Sequence, residues 1–254
     1  MNPARTPLVA GNWKMYHGGR TSVGLAQDVA AAARPLAGKV EVVVAPPFTA
    51  LAAVADSIEG SPVKLAAQNL HPRAEGAFTG EVSGPFLKEC GCVYVIVGHS
   101  ERRQHFGETD AFVADKVSAA LSNELVPIIC VGETLEQRER GETLRVVKEQ
   151  LDAFLDVIAR TKVPVAIAYE PVWAIGTGKT AGPAEAEEVH AAIRTWLGKK
   201  SEDLAVRTRI LYGGSVKPDN AVALLGCPNV DGALVGGASL DAGSFGAIAR
   251  AAGA

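Results

Sequence analysis

Along the chain, short apolar and β-branched runs alternate with longer stretches in which apolar positions return every three or four residues. The runs are LVAGNW from Leu8, VEVVVAPP from Val40, VKLAAQN from Val63, VYVIVGHS from Val93, VPIICVGE from Val126, VPVAIAYE from Val163, TRILYGG from Thr208 and VDGALVGG from Val230. None shows the strict alternation of a strand with one wet face, so they read as parallel strands covered on both sides. The starts of successive runs lie roughly 20 to 45 residues apart, which leaves room for a crossover helix each. Helical periodicity does fill them, as in TSVGLAQDVAAAARPL, DAFVADKVSAALSN, TLRVVKEQLDAFLDVIAR and GPAEAEEVHAAIRTWL.

No Pro/Gly/Ser linker or shift in composition interrupts this order. The pattern predicts an α/β fold in which residues 1–254 form a single domain, a closed (β/α)8 barrel. An open sheet of this width would usually carry a further domain or an edge strand.

Almost every run ends in polar or glycine residues: Asn12 and Lys14, Gln68 and Asn69, His99 and Ser100, Gly132 and Glu133, Glu170, Gly213 to Ser215, Gly236 and Gly237. In a barrel of parallel strands these ends meet at one mouth, the face where such barrels carry their chemistry.

Composition narrows the function classes. With 48% apolar and 21% charged residues the chain can bury a core, and its 254 residues match one large barrel. Its formal charge is -3 without long runs of one sign, which disfavours a nucleic-acid partner. VYVIV and VPIICV are too short to cross a bilayer and the N-terminus has no continuous apolar segment, so the expected location is cytoplasmic and not in a membrane. Cysteines at 90, 92, 130 and 227 form no C-x-x-C pair and have no histidine at zinc spacing. They read as reduced and structural, and no metal is expected.

Two loops, YGGSV and VGGAS, put paired glycines after the seventh and eighth runs, each ahead of a predicted short helix. Barrels often bind phosphate there through backbone N–H groups, although glycines also simply turn a chain. GTGKT, within EPVWAIGTGKTAG, ends like a P-loop, but the first glycine of that motif would fall at Trp173. A dinucleotide fingerprint fails too, for want of an acidic residue at the end of a following strand. What remains is a loop with Pro171, Gly176 and Gly178 near its ends and the apolar segment Val172 to Ile175 between them, a composition suited to a lid that excludes water.

Glu170 closes an apolar strand and precedes a proline, so apolar neighbours are expected to make it a more basic carboxylate; its bland reading is a surface charge. His99 opens the predicted helix SERRQHF, where the positive end of the dipole disfavours a protonated ring. Lys14 and Asn12, two positions apart past the first strand, read by themselves as a solvated lysine and a turn asparagine.

The segments GNWKM, VGHSERR, VGE, AYEPVWAIGTGK, LYGGSV and VGGASL, in this order and each after its strand, resemble the triosephosphate isomerase family over the whole chain. The resemblance implies a cofactor-free isomerase of glycolysis and gluconeogenesis. Such enzymes interconvert dihydroxyacetone phosphate and D-glyceraldehyde 3-phosphate by proton transfer through an enediolate. It further implies that Glu170 is the base, His99 a neutral electrophile, Lys14 a fixed positive charge and Asn12 a polar substrate contact. The phosphate would be held by amides of Gly176, Ser215, Gly236 and Gly237. By the same likeness Glu101 engages Lys14, and GAFTGE around Thr79 inserts into a second subunit of a homodimer, close to Lys14 of the partner subunit. Two rivals, another phosphate-binding barrel such as an indole-glycerol or phosphoribosyl isomerase and a non-catalytic binding barrel, have no need of AYEPVWAIGTGK beside Asn12, Lys14, His99 and Glu170.

Overall fold

The computed structural model describes residues 5–174 and 181–254. All eight apolar runs form strands: β1 Leu8–Asn12, β2 Glu41–Ala45, β3 Lys64–Ala67, β4 Tyr94–Val97, β5 Val126–Val131, β6 Ala166–Tyr169, β7 Arg209–Tyr212 and β8 Gly232–Val235. They pair in sequence order, all parallel, into a closed barrel. Closure joins β1 to β8 in the register Leu8↔Gly232 to Gly11↔Val235. Gly232 is required there: its φ is +143°, and a Cβ would lie 1.9 Å from the Leu8 carbonyl oxygen.

The helices are α1 Ser22–Ala33, α2 Leu51–Ile58, α3 Gly84–Glu89, α4 Ser100–Phe106, α5 Asp110–Ser122, α6 Leu135–Glu139, α7 Thr143–Arg160, α8 Pro183–Lys200, α9 Glu202–Arg207, α10 Ala221–Leu225 and α11 Ala242–Ala252. The long periodic segments lie on α1, α5, α7 and α8. Each strand divides its side chains between two apolar cores. Leu8 and Ala10 point into the barrel with Val43, Ala66, Ile96, Ile128, Ala168 and Leu211. Val9 points outward into the layer shared with the helices, beside residues such as Val29, Val54, Val117, Leu151 and Ile193. Both faces being dry explains why the strands lack alternation. The several alanines of the inner core suit a barrel whose interior is filled by side chains.

The bottom of the barrel is closed by polar groups: Arg209 donates to Glu41 and, at 2.8 Å, to the Tyr94 hydroxyl. Below β8, Asp231 accepts from Arg5 at 2.7 Å and from Arg194. The opposite rim is left to the strand ends.

Candidate functional site

A cavity of about 530 Å³ opens at the C-terminal ends of the strands. It is lined by Asn12, Lys14, Tyr16, His99, Glu170, Gly213 to Lys217, Leu234, Gly236, Gly237, Ala238 and Leu240. Thus Asn12, Lys14, His99, Glu170, Ser215, Gly236 and Gly237, drawn from the ends of five strands, share one space. Glu101 is tied to it by an ion pair with Lys14, and Thr79 is exposed on a separate loop. Gly176, with Ile175 and Gly178 of the expected lid, lies outside the described residues; Val172–Ala174 form one 3-10 turn.

The central contact joins Glu170 and His99. His99 Nε2 lies 2.9 Å from Glu170 Oε1, and the Ser100 amide donates to Glu170 Oε2 at 2.9 Å. Both carboxylate oxygens are therefore occupied by groups from the start of α4. His99 is the N-cap of that helix, and its Nδ1 accepts the Glu101 N–H at 3.2 Å. An accepting Nδ1 assigns the ring proton to Nε2, facing Glu170.

Burial raises the affinity of Glu170 for a proton. His99, the Ser100 amide and Lys14 outweigh it and hold the carboxyl below its ordinary range. The sequence-based expectation of a more basic carboxylate is corrected on this point: the apolar surroundings are present, but the docked position supplies donors that dominate them. For His99 burial is the largest influence and opposes the cation, while Glu170 and Glu101 favour it, so proton affinity in the docked pair is raised. That direction belongs to the pair. Apart from Glu170, burial, Lys14, the Glu101 amide and the helix N-terminus favour a neutral ring, and the Glu101 carboxylate opposes them.

Lys14 is held from several sides. Its N–H donates to Asn12 Oδ1 at 3.0 Å, and Gln68 Nε2 donates to its carbonyl at 2.7 Å and to that of Ala45 at 2.8 Å. Its ammonium pairs with Glu101 Oε1 at 2.5 Å, and its stem passes over Gly236. Gln68 stands at a strand end, and nothing in the sequence around it marks it as a brace for Lys14. The holding of Glu170 by the Ser100 amide left no sequence signal, because any residue there has an N–H.

The glycines divide into two kinds. Gly236 and Gly237 open the 3-10 helix Gly237–Leu240, whose first amides have no partner within the helix and so suit an anion. Of the two predicted short helices, only this one follows its glycines directly; after YGGSV the chain runs on to α10 at Ala221. Gly213 instead makes room for the carboxylate, since a Cβ there would lie 2.8 Å from Glu170 Cγ. Glu133, fully buried, accepts from Tyr169 at 3.1 Å and from Trp173 Nε1 at 2.9 Å, anchoring residues on either side of Glu170. Among the described residues no group of three or more His, Cys, Asp or Glu side chains is placed to hold a metal ion, and no helix is long and apolar enough to cross a membrane.

A closed barrel with a carboxylate, an imidazole, a lysine and amide-lined loops around one small cavity defines a class: barrel enzymes suited to proton transfer on a small anion. The comparisons with known proteins narrow it. The family model described as triosephosphate isomerase matches residues 7–252. Curated triosephosphate isomerases from Moorella thermoacetica and Chloroflexus aurantiacus are 54% and 55% identical over 96% and 95% of this chain and 98% and 97% of theirs. The crystal structure of triosephosphate isomerase from Bartonella henselae superposes with a TM-score of 0.87 at 40% identity, covering 97% of this chain and 98% of that one. The chain belongs to the triosephosphate isomerase family. It is an intramolecular isomerase that interconverts dihydroxyacetone phosphate and D-glyceraldehyde 3-phosphate, a step of glycolysis and gluconeogenesis.

Proposed function

We propose that Glu170 is the base of this isomerisation, His99 and Lys14 the groups that stabilise the enediolate, and Asn12 a polar contact to substrate. The observation that carries this reading is the single cavity that Asn12, Lys14, His99 and Glu170 line. A proton beside a carbonyl is weakly acidic, so its removal needs a base poised over the carbon and donors where the oxygens gather charge. Glu170 is docked on His99 and Ser100, and substrate entry has to exchange these contacts for the carbon-bound proton. That exchange frees the His99 Nε2–H to donate to a substrate oxygen, with Lys14 adding fixed charge nearby.

The phosphate is assigned to amides of Ser215, Gly236 and Gly237, and of Gly176 outside the described residues. The apolar lid is proposed to hold the phosphate in the enediolate plane, which keeps the C–O bond from aligning with the π-system and expelling it.

The same reading includes one domain over residues 1–254, work in the cytoplasm and assembly as a homodimer through the loop around Thr79. Phe78 and Met15 support the dimer: they are 43% and 93% exposed in the single chain, a cost that a partner surface would remove. The decisive experiment follows deuterium entering dihydroxyacetone phosphate from heavy water. The wild type and Lys14, His99 and Glu170 variants are compared, and a Glu170→Gln variant that exchanges at the wild-type rate would reject the base.

A further inference from the structure

β5 ends at Val131, and the next residue touches the main chain of the site. A Cβ on Gly132 would lie 1.7 Å from the Glu170 carbonyl oxygen, so the two backbones meet with no side chain between them. The Glu170 N–H donates to Val131 O at 2.8 Å, and the Val172 N–H donates to Glu133 O at 3.1 Å. Residues 131–133 are therefore the bed on which the stretch from Glu170 to Val172 rests.

Both polar groups of the Gly132 residue are taken by one side chain. Its N–H donates to Gln150 Oε1 at 2.7 Å, and Gln150 Nε2 donates back to its carbonyl at 3.1 Å. A primary amide offers a donor and an acceptor side by side, as a neighbouring strand would, and among side chains only Asn and Gln carry one. Gln150 stands on α7, whose Val146, Val147, Leu151 and Phe154 are buried. The tie thus runs from a packed helix of 18 residues to the backbone under Glu170. A cavity of about 340 Å³ lined by Ser100, Gly132, Gln150, Glu170 and Val172 adjoins this point, so the segment borders open space there.

We propose that Gln150 is a positioning residue for Glu170: through its two-way amide clamp on Gly132 it sets the height of the carboxylate over the substrate carbon. This rests on the reading of Glu170 as the base. A base acts only from a narrow range of positions, and small displacements cost rate far more than they cost binding.

The test compares Gln150→Leu, Gln150→Glu and Glu170→Asp with the wild type by kcat and KM for dihydroxyacetone phosphate, with circular dichroism to establish folding. Gln150→Leu removes both clamp bonds, and Gln150→Glu keeps an acceptor for the Gly132 N–H while losing the donor at neutral pH. The expected result is a kcat lowered ~10- to 100-fold for the leucine variant and less for the glutamate variant, with KM within about twofold of wild type in both. Should the leucine variant not fold, the glutamate variant decides alone. Wild-type kcat in a folded Gln150 variant, with or without a lower melting temperature, overturns the proposal, as does a defect confined to KM. Glu170→Asp separates the two ideas: if it turns over normally the base assignment fails, whereas if it is slow beside an unimpaired Gln150→Leu only the positioning role fails.

Discussion

The Lys14 ammonium lies 2.5 Å from Glu101 Oε1, and Lys14 makes this contact from a left-handed backbone conformation with φ 52°. For a residue with a side chain that conformation costs roughly 1–2 kcal/mol. The ion pair offsets little of it, because Glu101 is 41% exposed and a wet pair is weakly stabilising. Two carbonyl contacts from Gln68 and the Asn12 side chain hold the strained turn instead. The arrangement places positive charge at the cavity at the expense of local stability.

Replacing Lys14 with glycine therefore separates the two. Glycine takes the left-handed conformation without penalty, which offsets its greater freedom in the unfolded chain. Lys14→Gly is expected to unfold within about 1 kcal/mol of wild type while kcat/KM falls more than ~100-fold. Urea unfolding and steady-state kinetics on one preparation check both; a large loss of stability would contradict the strain argument.

Glu170→Asp retracts the carboxylate by one methylene. A folded variant with kcat reduced ~100-fold or more is expected, because on the proposed reading the base no longer reaches the proton. His99→Gln should lower kcat while leaving KM near wild type if, as proposed, the ring acts where charge develops in the transition state. A His99→Gln defect confined to KM would instead mean that the ring only binds substrate.

His190, fully buried against Tyr169 and Tyr212, has its pKa lowered from 6.5 to about 4 by burial. Its native form stays neutral while the unfolded chain takes up a proton. Its share of stability is therefore complete above the unfolded pKa, falls as pH drops towards the native value and is constant below that. This one group should cost about 2 kcal/mol between pH 7 and pH 5. Urea titrations at the two pH values should show a smaller difference for His190→Leu than for the wild type, and equal differences would remove His190 as the cause.

Gly232→Ala should strike the barrel at its closing seam. With a Cβ only 1.9 Å from Leu8 O and φ at +143°, either β8 shifts or β1 does. A loss above ~3 kcal/mol is expected, or failure to accumulate as folded protein. A melting temperature like that of the wild type would show that the seam can open at little cost.

Phe78 packs on His71 with ring centroids 4.1 Å apart, yet 43% of it remains exposed. If the loop around Thr79 docks into a second subunit, Phe78→Asp should shift sedimentation towards monomer at micromolar protein and make specific activity depend on concentration. A Phe78→Asp protein that sediments as the wild type does would argue against this loop as the interface.

The eight strands, the long helices and the mouth of the barrel were legible in the chain because each rests on a local property. Dry parallel strands are continuous apolar runs, helices repeat at 3.6 residues, and parallel strands deliver their polar ends to one face. Asn12, Lys14, His99, Glu170, Ser215, Gly236 and Gly237 could be listed as candidates for that reason, and their family segments ordered them. Their energetics could not be read in this way. Whether Glu170 is more or less acidic than usual depends on His99, 71 residues away, and on one N–H of Ser100, and the apolar run before it pointed in the opposite direction. The left-handed turn at Lys14, the brace from Gln68 and the Gln150 clamp on Gly132 join residues from separate strands and helices. Donors and acceptors of ordinary residue types carry no periodicity, so only the closure of the barrel decided which of them met.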